Sequence, residues 1–196
     1  MATNLEIANR ALILIGGRTV LSLNEGNKEA RLCNEAFDGC RAAVLRSYPS
    51  KFAITRAVLT ITDEAPAFGF ANSFELPDNF IRLVELNEGE EQYEIEGGFI
   101  LSDSSELRLK YVWDFKGPNY PDTIWNEALA IYLGWTISYS LTQSGELRDR
   151  MWMDYEKVMK TARWVNSKEG PAKQLTAEQY LDSRMNRGTF PRDPGT

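Results

Sequence analysis

Residues 128–145, ALAIYLGWTISYSLTQSG, carry no charged side chain. An uncharged run of this length belongs either in a bilayer or in a protein core. Gly134, Thr136, Ser138, Ser140, Thr142, Gln143 and Ser144 make it a poor bilayer span. The remaining possibility is a buried helix. Trp125, Ala128, Leu129, Tyr132, Leu133, Thr136 and Tyr139 recur at helical spacing, and Ile131 and Trp135 widen the apolar surface beyond one stripe. Asp122 is a suitable N-cap and Ser144-Gly145 a suitable break, so the sequence predicts a central helix over about 122–143. The rest of the chain must then supply its cover.

Three further helices are predicted. Thr3-x-x-Glu6 has capping-box spacing and opens a stripe of Leu5, Ala8, Leu12 and Ile15 that ends at Gly16-Gly17, a helix of about 3–15. A second starts between Asn24 and Asn27, runs to Tyr48 with Ala30, Cys33, Phe37, Cys40 and Val44 on one face, and stops at Pro49. A fourth, about 146–169, shows Leu147, Met151, Tyr155, Val158, Ala162 and Val165, and Gly170-Pro171 terminates it.

Between the second and third helices the period changes. Ala57 to Thr62 is β-branched, and an apolar run at Phe80–Val84 follows the turn Leu76-Pro77-Asp78. Tyr93–Glu96 returns through Gly97-Gly98 as Phe99–Leu101, a hairpin. Glu106–Trp113 alternates cleanly, with Leu107, Leu109, Tyr111 and Trp113 on one face. The expected fold class is mainly α with a small β region (α+β). It is a four-helix bundle with an antiparallel sheet or hairpin, about 57–113, inserted between helices 2 and 3. Pro118–Pro121 reads as a linker. The organisation is one domain over 1–170 and an extended tail over 171–196, PAKQLTAEQYLDSRMNRGTFPRDPGT.

Composition narrows the chemistry. The 196 residues suffice for one sizeable core, and there is no histidine, which removes Ser-His-Asp and Cys-His catalysis and the usual zinc sites. Cys33 and Cys40 lie seven apart on one helix, roughly 10 Å along its axis, too far for a disulfide between them. They read as small core residues with no metal role. The N-terminus enters a helical pattern at once, with no basic, cleavable leader, so synthesis in the cytoplasm is expected. The net charge of −6 is uneven: twelve acids and one base, Arg82, lie between Ile61 and Glu106, so this segment carries −11 and the remainder about +5.

Several features invite a functional reading. Glu88, Glu90, Glu91, Glu94 and Glu96 could supply a glycosidase pair, but a solvated acidic loop is the favoured reading, because such clusters are common on surfaces and nothing fixes their separation. Trp125, Trp135, Trp152 and Trp164 lie near Arg148 and Arg163 and could stack nucleic-acid bases, but an acidic chain favours packing and subunit contacts. Gly16-Gly17-Arg18-Thr19 lacks P-loop spacing and reads as a helix end. In the tail, Thr176-x-x-Gln179 is a second capping-box spacing, followed by Ala177, Leu181 and Met185 on one face with Tyr180 beside them. Such a short helix is marginal alone in water and is expected either to fray or to order on a partner.

Several stretches, in order, carry a family resemblance. They are Glu6–Leu12 with Ile15-Gly16, then Ser47–Ala53 (SYPSKFA), then Phe74–Arg82 (FELPDNFIR). Tyr93–Gly98 (YEIEGG), Leu109–Asp114 (LKYVWD) and Trp125–Ala130 (WNEALA) follow. Over nearly its whole length the chain resembles the head-to-tail adaptors of short-tailed bacteriophages, the tail tubular protein A family. The resemblance implies a virion protein made in the host cytoplasm. It would be one subunit of a ring, dodecameric in expectation, beneath the portal protein and above the tail nozzle protein, with double-stranded DNA passing through the centre. It implies no catalytic residues, no cofactor, no metal and no membrane partner. The tail would reach along the portal, with Leu175, Tyr180, Leu181 and Met185 as anchors and Lys173, Arg184 and Arg187 orienting it. The acidic segment, represented by Glu88, Glu90, Glu91 and Glu94, would rim the channel or face the nozzle, where negative charge keeps passing DNA from adhering. A carboxylate-based glycan hydrolase associated with the phage tail is the alternative.

Overall fold

The computed structural model describes residues 1–89 and 92–168. Four helices, α1 (Asn4–Leu14), α2 (Lys28–Ser47), α3 (Thr123–Thr142) and α4 (Gly145–Lys168), flank six strands. These are β1 (Ile54–Thr60), β2 (Asn72–Glu75), β3 (Phe80–Leu86), β4 (Glu94–Glu96), β5 (Phe99–Ser102) and β6 (Glu106–Trp113).

The helix starts follow their caps. Thr3 and Glu6 form both bonds of a capping box, at 3.2 and 2.8 Å. Asn27 accepts from Ala30 N–H, and one Asp122 oxygen accepts from both Ile124 and Trp125 N–H. Helix α3 lies at the centre, packed against α1, α2 and α4, and Trp125, Leu129, Leu133 and Ile137 are among its ten buried residues. Its buried hydroxyl, Ser138, does not oppose burial because it donates to the Trp135 carbonyl at 2.9 Å, and the exposed Thr136 and Thr142 donate likewise to the carbonyls of Tyr132 and Ser138.

Close approach sets one position on α3. A Cβ added at Gly134 would stand 2.9 Å from the Met151 methyl and 3.4 Å from the Ala11 carbonyl oxygen. Gly134→Ala is expected to be close to neutral, since a gain of up to about 1 kcal/mol in helix propensity offsets a small shift of the flexible Met151. Gly134→Val, which adds two further methyls against α1, is expected to cost about 2 kcal/mol. Urea denaturation of the two variants provides the comparison.

The expected four-helix bundle with one small sheet is corrected by the structure. The strands form two three-stranded antiparallel sheets, ordered β1-β6-β3 and β2-β5-β4. The chain changes sheet between β1 and β2, again between β2 and β3, then goes back to β4 and β5 and returns to β6. The sheets share a core of their own: Leu59, Leu86, Leu107 and Leu109 of the first face Phe74 and Ile100 of the second. This is a small sandwich, and the helices form a separate cluster around α3. Strand β2, sequence NSFE, has little local strand character; it is held by register with β5, in which fully buried Phe74 pairs with fully buried Ile100. The sequence also places the start of β1 three residues late, and the pairing Ile54↔Val112 explains the longer strand.

Two devices join sandwich and helices. Val112 projects from β6 into the helical core, with Ile54 and Ile81 packed alongside. Arg41 of α2, only 3% exposed, reaches Asp114 just beyond β6 with Nε and Nη2 at 3.0 and 3.3 Å and also bonds Asp38. The expected linker is also corrected, since Tyr120 is fully buried and its backbone pairs with Ala2 at 2.9 and 3.1 Å.

Candidate functional site

The tail residues expected to meet a portal, Lys173, Leu175, Tyr180, Leu181, Arg184, Met185 and Arg187, lie outside the described residues, as do Glu90 and Glu91. Glu88 falls in a short 3-10 turn, Asn87–Gly89, after β3. Glu94 stands exposed on β4. What the structure adds is the company Glu94 keeps.

On β4 the side chains alternate. Ile95 pairs with buried Ile100, while Glu94 and Glu96, opposite Leu101 and Phe99, point to the outer face of the second sheet. The segment 61–71 folds over this face and is pinned there. Ser73 hydroxyl bonds the Glu64 carbonyl and the Thr62 hydroxyl, Ala71 N–H donates to Asp103 at 2.9 Å, and Asn72 donates to Ser104 carbonyl at 2.9 Å. The outcome is a groove of about 520 Å³ with Phe99 and Leu101 as its floor, Phe68 and Phe70 on one wall, and Glu64, Glu94 and Glu96 as its charged groups. No base lines it. Phe68 is 89% exposed, a large apolar side chain presented to solvent by a loop that is itself held down. The sequence marked Glu94 and Glu96 by charge but left Phe68 unnoticed; the only local signal was AFGF, with Gly69 at φ +91° turning the loop.

The outer face of the first sheet has the opposite character. Arg56 pairs across to Lys110, and Val58 to Arg108, around a concavity of about 370 Å³. Three bases line it against one acid, Glu85, which Lys110 meets at 3.0 Å. Val58 between them is 61% exposed, and Arg56 has no acidic partner among the described residues. The segment that reads as uniformly acidic in sequence therefore folds against strands β1 and β6, whose outward residues are basic.

Other candidates are accounted for within the fold. Trp135 and Trp152 lie 5.1 Å apart between α3 and α4, with Tyr132 and Tyr155 adjoining, and the Arg148 guanidinium covers Trp135 at 5.0 Å. These rings pack helices, and Arg148 already covers the face a nucleic-acid base would need. Burial, reinforced by Cys40 and Glu29, pushes the Cys33 thiol up to about 11, and burial also raises Cys40, so both stay protonated at neutral pH. Among the described residues no group of three or more acidic or cysteine side chains could hold a metal ion, and no helix is long and apolar enough to cross a membrane.

Compared with known proteins, the chain matches no family model and no curated protein. The reading of the site therefore rests on its own geometry and on the sequence motifs.

Proposed function

We propose that this protein is a structural connector: one subunit of a head-to-tail adaptor ring, a dodecamer by resemblance, between the portal and the tail nozzle of a short-tailed phage. The ordered motifs described above support this reading. The observation that carries it is the outer surface of α4. This 24-residue helix buries Met151, Tyr155, Met159 and Ala162 on one face, yet leaves Met153 58% and Trp164 64% exposed on the other. Met153, Lys157, Lys160 and Trp164 fall at i, i+4, i+7 and i+11, an apolar-ended basic stripe directed away from the core. A stripe of this kind, running directly into the tail sequence, suits a helix that is covered in an assembly.

In this proposal the end of α4 and residues 171–196 form the portal side. The tail orders on contact, anchored by Leu175, Tyr180, Leu181 and Met185 and oriented by Arg184 and Arg187. The sandwich lies on the nozzle side, and its acidic connections discourage adhesion of DNA in transit. The glycan-hydrolase alternative has weaker support, because Glu94 and Glu96, although they border an apolar-floored groove, are both exposed on one short edge strand and neither is buried as a catalytic acid is.

Deletion of Pro171–Thr196 tests the proposal. The truncated chain should keep the far-UV circular dichroism and melting behaviour of the full chain while losing stable co-sedimentation with its portal ring. Undiminished portal binding by the truncated chain would overturn the role given to the tail.

A further inference from the structure

We propose that the two outer faces of the sandwich bind each other between successive copies of this chain, the basic face of one copy seating on the acidic groove of the next. This rests on the ring reading above and names the surfaces that would meet, adding a sheet-to-sheet contact to the packing of helical faces.

Three observations lead to it. First, the faces look in opposite directions. Leu107 and Leu109 point inward from β6 while Arg108 and Lys110 point outward, and Phe74 and Ile100 point inward from the second sheet while Glu94, Glu96 and Phe99 point outward. Two complementary patches on opposite sides of one body cannot meet within a single molecule. They form a heterologous contact, which repeats from copy to copy and closes into a ring when the rotation per step divides a full turn.

Second, the two faces differ in charge, and the carboxylates of the groove and Arg56 opposite them form no ion pair among the described residues. The acidic groove holds three carboxylates and no base. Glu64, Glu94 and Glu96 form no ion pair among the described residues, and neither does Arg56. Arg108 lies 3.5 Å from Glu106, yet its side chain remains 71% exposed and able to exchange partners. The groove thus displays acid alone, while on the other face Glu85 and Glu106 offset Lys110 and Arg108 and leave Arg56 as the cation that steers encounter.

Third, each face has an apolar centre, and one of them carries a projecting ring. The groove is concave, with Phe99 and Leu101 at its base and Phe68 overhanging. The basic face presents Val58 at its middle, flanked by Arg56 and Arg108. Phe68, 89% exposed, would enter the concavity of the basic face against Val58 while the flanking guanidinium groups reach Glu94 and Glu96, an apolar contact ringed by charge as at protein interfaces generally. Glu94 would then serve a subunit contact and not the channel wall.

The test is a charge swap read by sedimentation velocity at several protein concentrations. The full chain should sediment above monomer mass, and the assembled fraction should fall several-fold at about 0.5 M salt, where screening reaches within a few ångströms. Arg56→Glu with Arg108→Glu should reduce assembly at least about tenfold in apparent Kd, and so should Glu94→Lys with Glu96→Lys, given losses above about 1.4 kcal/mol per contact. All four residues are exposed, so circular dichroism should show each variant folded. The chain carrying all four substitutions should recover assembly, because both faces are reversed together. Assembly unchanged in either double variant, or not recovered in the quadruple variant, overturns this contact but leaves the adaptor reading intact. A full chain that stays monomeric at every concentration also overturns it. Portal co-sedimentation of the same variants, which depends on the tail, reports separately on the adaptor reading.

Discussion

Replacement of Trp125 by alanine is expected to lower the stability of the protein by about 3–5 kcal/mol and its melting temperature by about 10 °C or more. Trp125 is fully buried in the first turn of α3, with Phe52 edge-on at 5.2 Å and Tyr120 tilted at 4.8 Å. Phe115 closes the cluster at 5.4 Å from Phe52 and 5.6 Å from Tyr120. These rings come from the turn after α2, from the end of β6 and from the segment before α3, so a cavity there loosens three connections at once. Asp122 fixes the arrangement, capping α3 with one oxygen and accepting from the buried Ser50 hydroxyl with the other at 3.0 Å. Among the described residues no group accepts a hydrogen bond from the indole N–H of Trp125. Trp125→Phe should therefore cost less than half as much, since it loses volume but no hydrogen bond. Thermal melts followed by far-UV circular dichroism decide both; a loss below about 1 kcal/mol for the alanine variant would show that the cluster does not organise this junction.

Asp114→Asn is expected to cost about 3 kcal/mol at neutral pH, because it leaves the Arg41 guanidinium buried with only Asp38, whose own side chain is 73% exposed. The pair also carries a pH signature. Burial by itself would raise the Asp114 carboxyl, but the hydrogen bonds and charge of Arg41, with Lys116 at 3.2 Å, outweigh it and hold the group below the ordinary aspartate value. A depressed folded pKa means that the unfolded chain binds the proton more readily. The stabilisation is therefore complete above about pH 4 and is lost as pH falls through the folded value. Between about pH 4 and pH 2 the wild-type chain should lose stability more steeply than Asp114→Asn, so the gap between them narrows on acidification. Urea titrations across that range test the sign. A constant gap would place the contribution of Asp114 in packing and not in charge.

The two variants also separate what could be read from the chain from what could not. Asp122 and Thr3 were legible as caps because a cap is a local contract between a side chain and N–H groups two or three residues on, while for α2 the sequence bracketed the start between Asn24 and Asn27 and the structure set the cap at Asn27. The Gly97-Gly98 turn was legible for a similar reason, both residues having positive φ, +55° and +93°. Tyr120 was not. It sits among prolines and glycine that signal a linker, and only contact with Phe52, Phe115 and Trp125 makes it core. The burial of Arg41 was not legible either, since nothing in its neighbourhood in sequence indicates that Asp114 will arrive beside it.

The candidate surfaces divide in the same way. The excess of acid between Ile61 and Glu106 was visible as a count, but that Glu64, Glu94 and Glu96 gather on one outer face while Glu85 and Glu106 lie beside the bases of the other depends on which strands share a sheet. The basic character of the opposite face was hidden, because Arg56 lies outside the acidic segment and Arg108 and Lys110 belong to a strand that otherwise reads simply as alternating.

By itself, then, the sequence determined the helices, their caps, the burial of the uncharged run and the absence of histidine chemistry. Those properties follow from periodicities and contacts within a few residues. The tertiary structure alone decided that the strands divide into two sheets, that Arg41 and Tyr120 are interior, and that acid and base are displayed on opposite faces. Each of these depends on pairing across tens of residues, where many partners satisfy the local pattern equally and only the burial of a shared core selects among them.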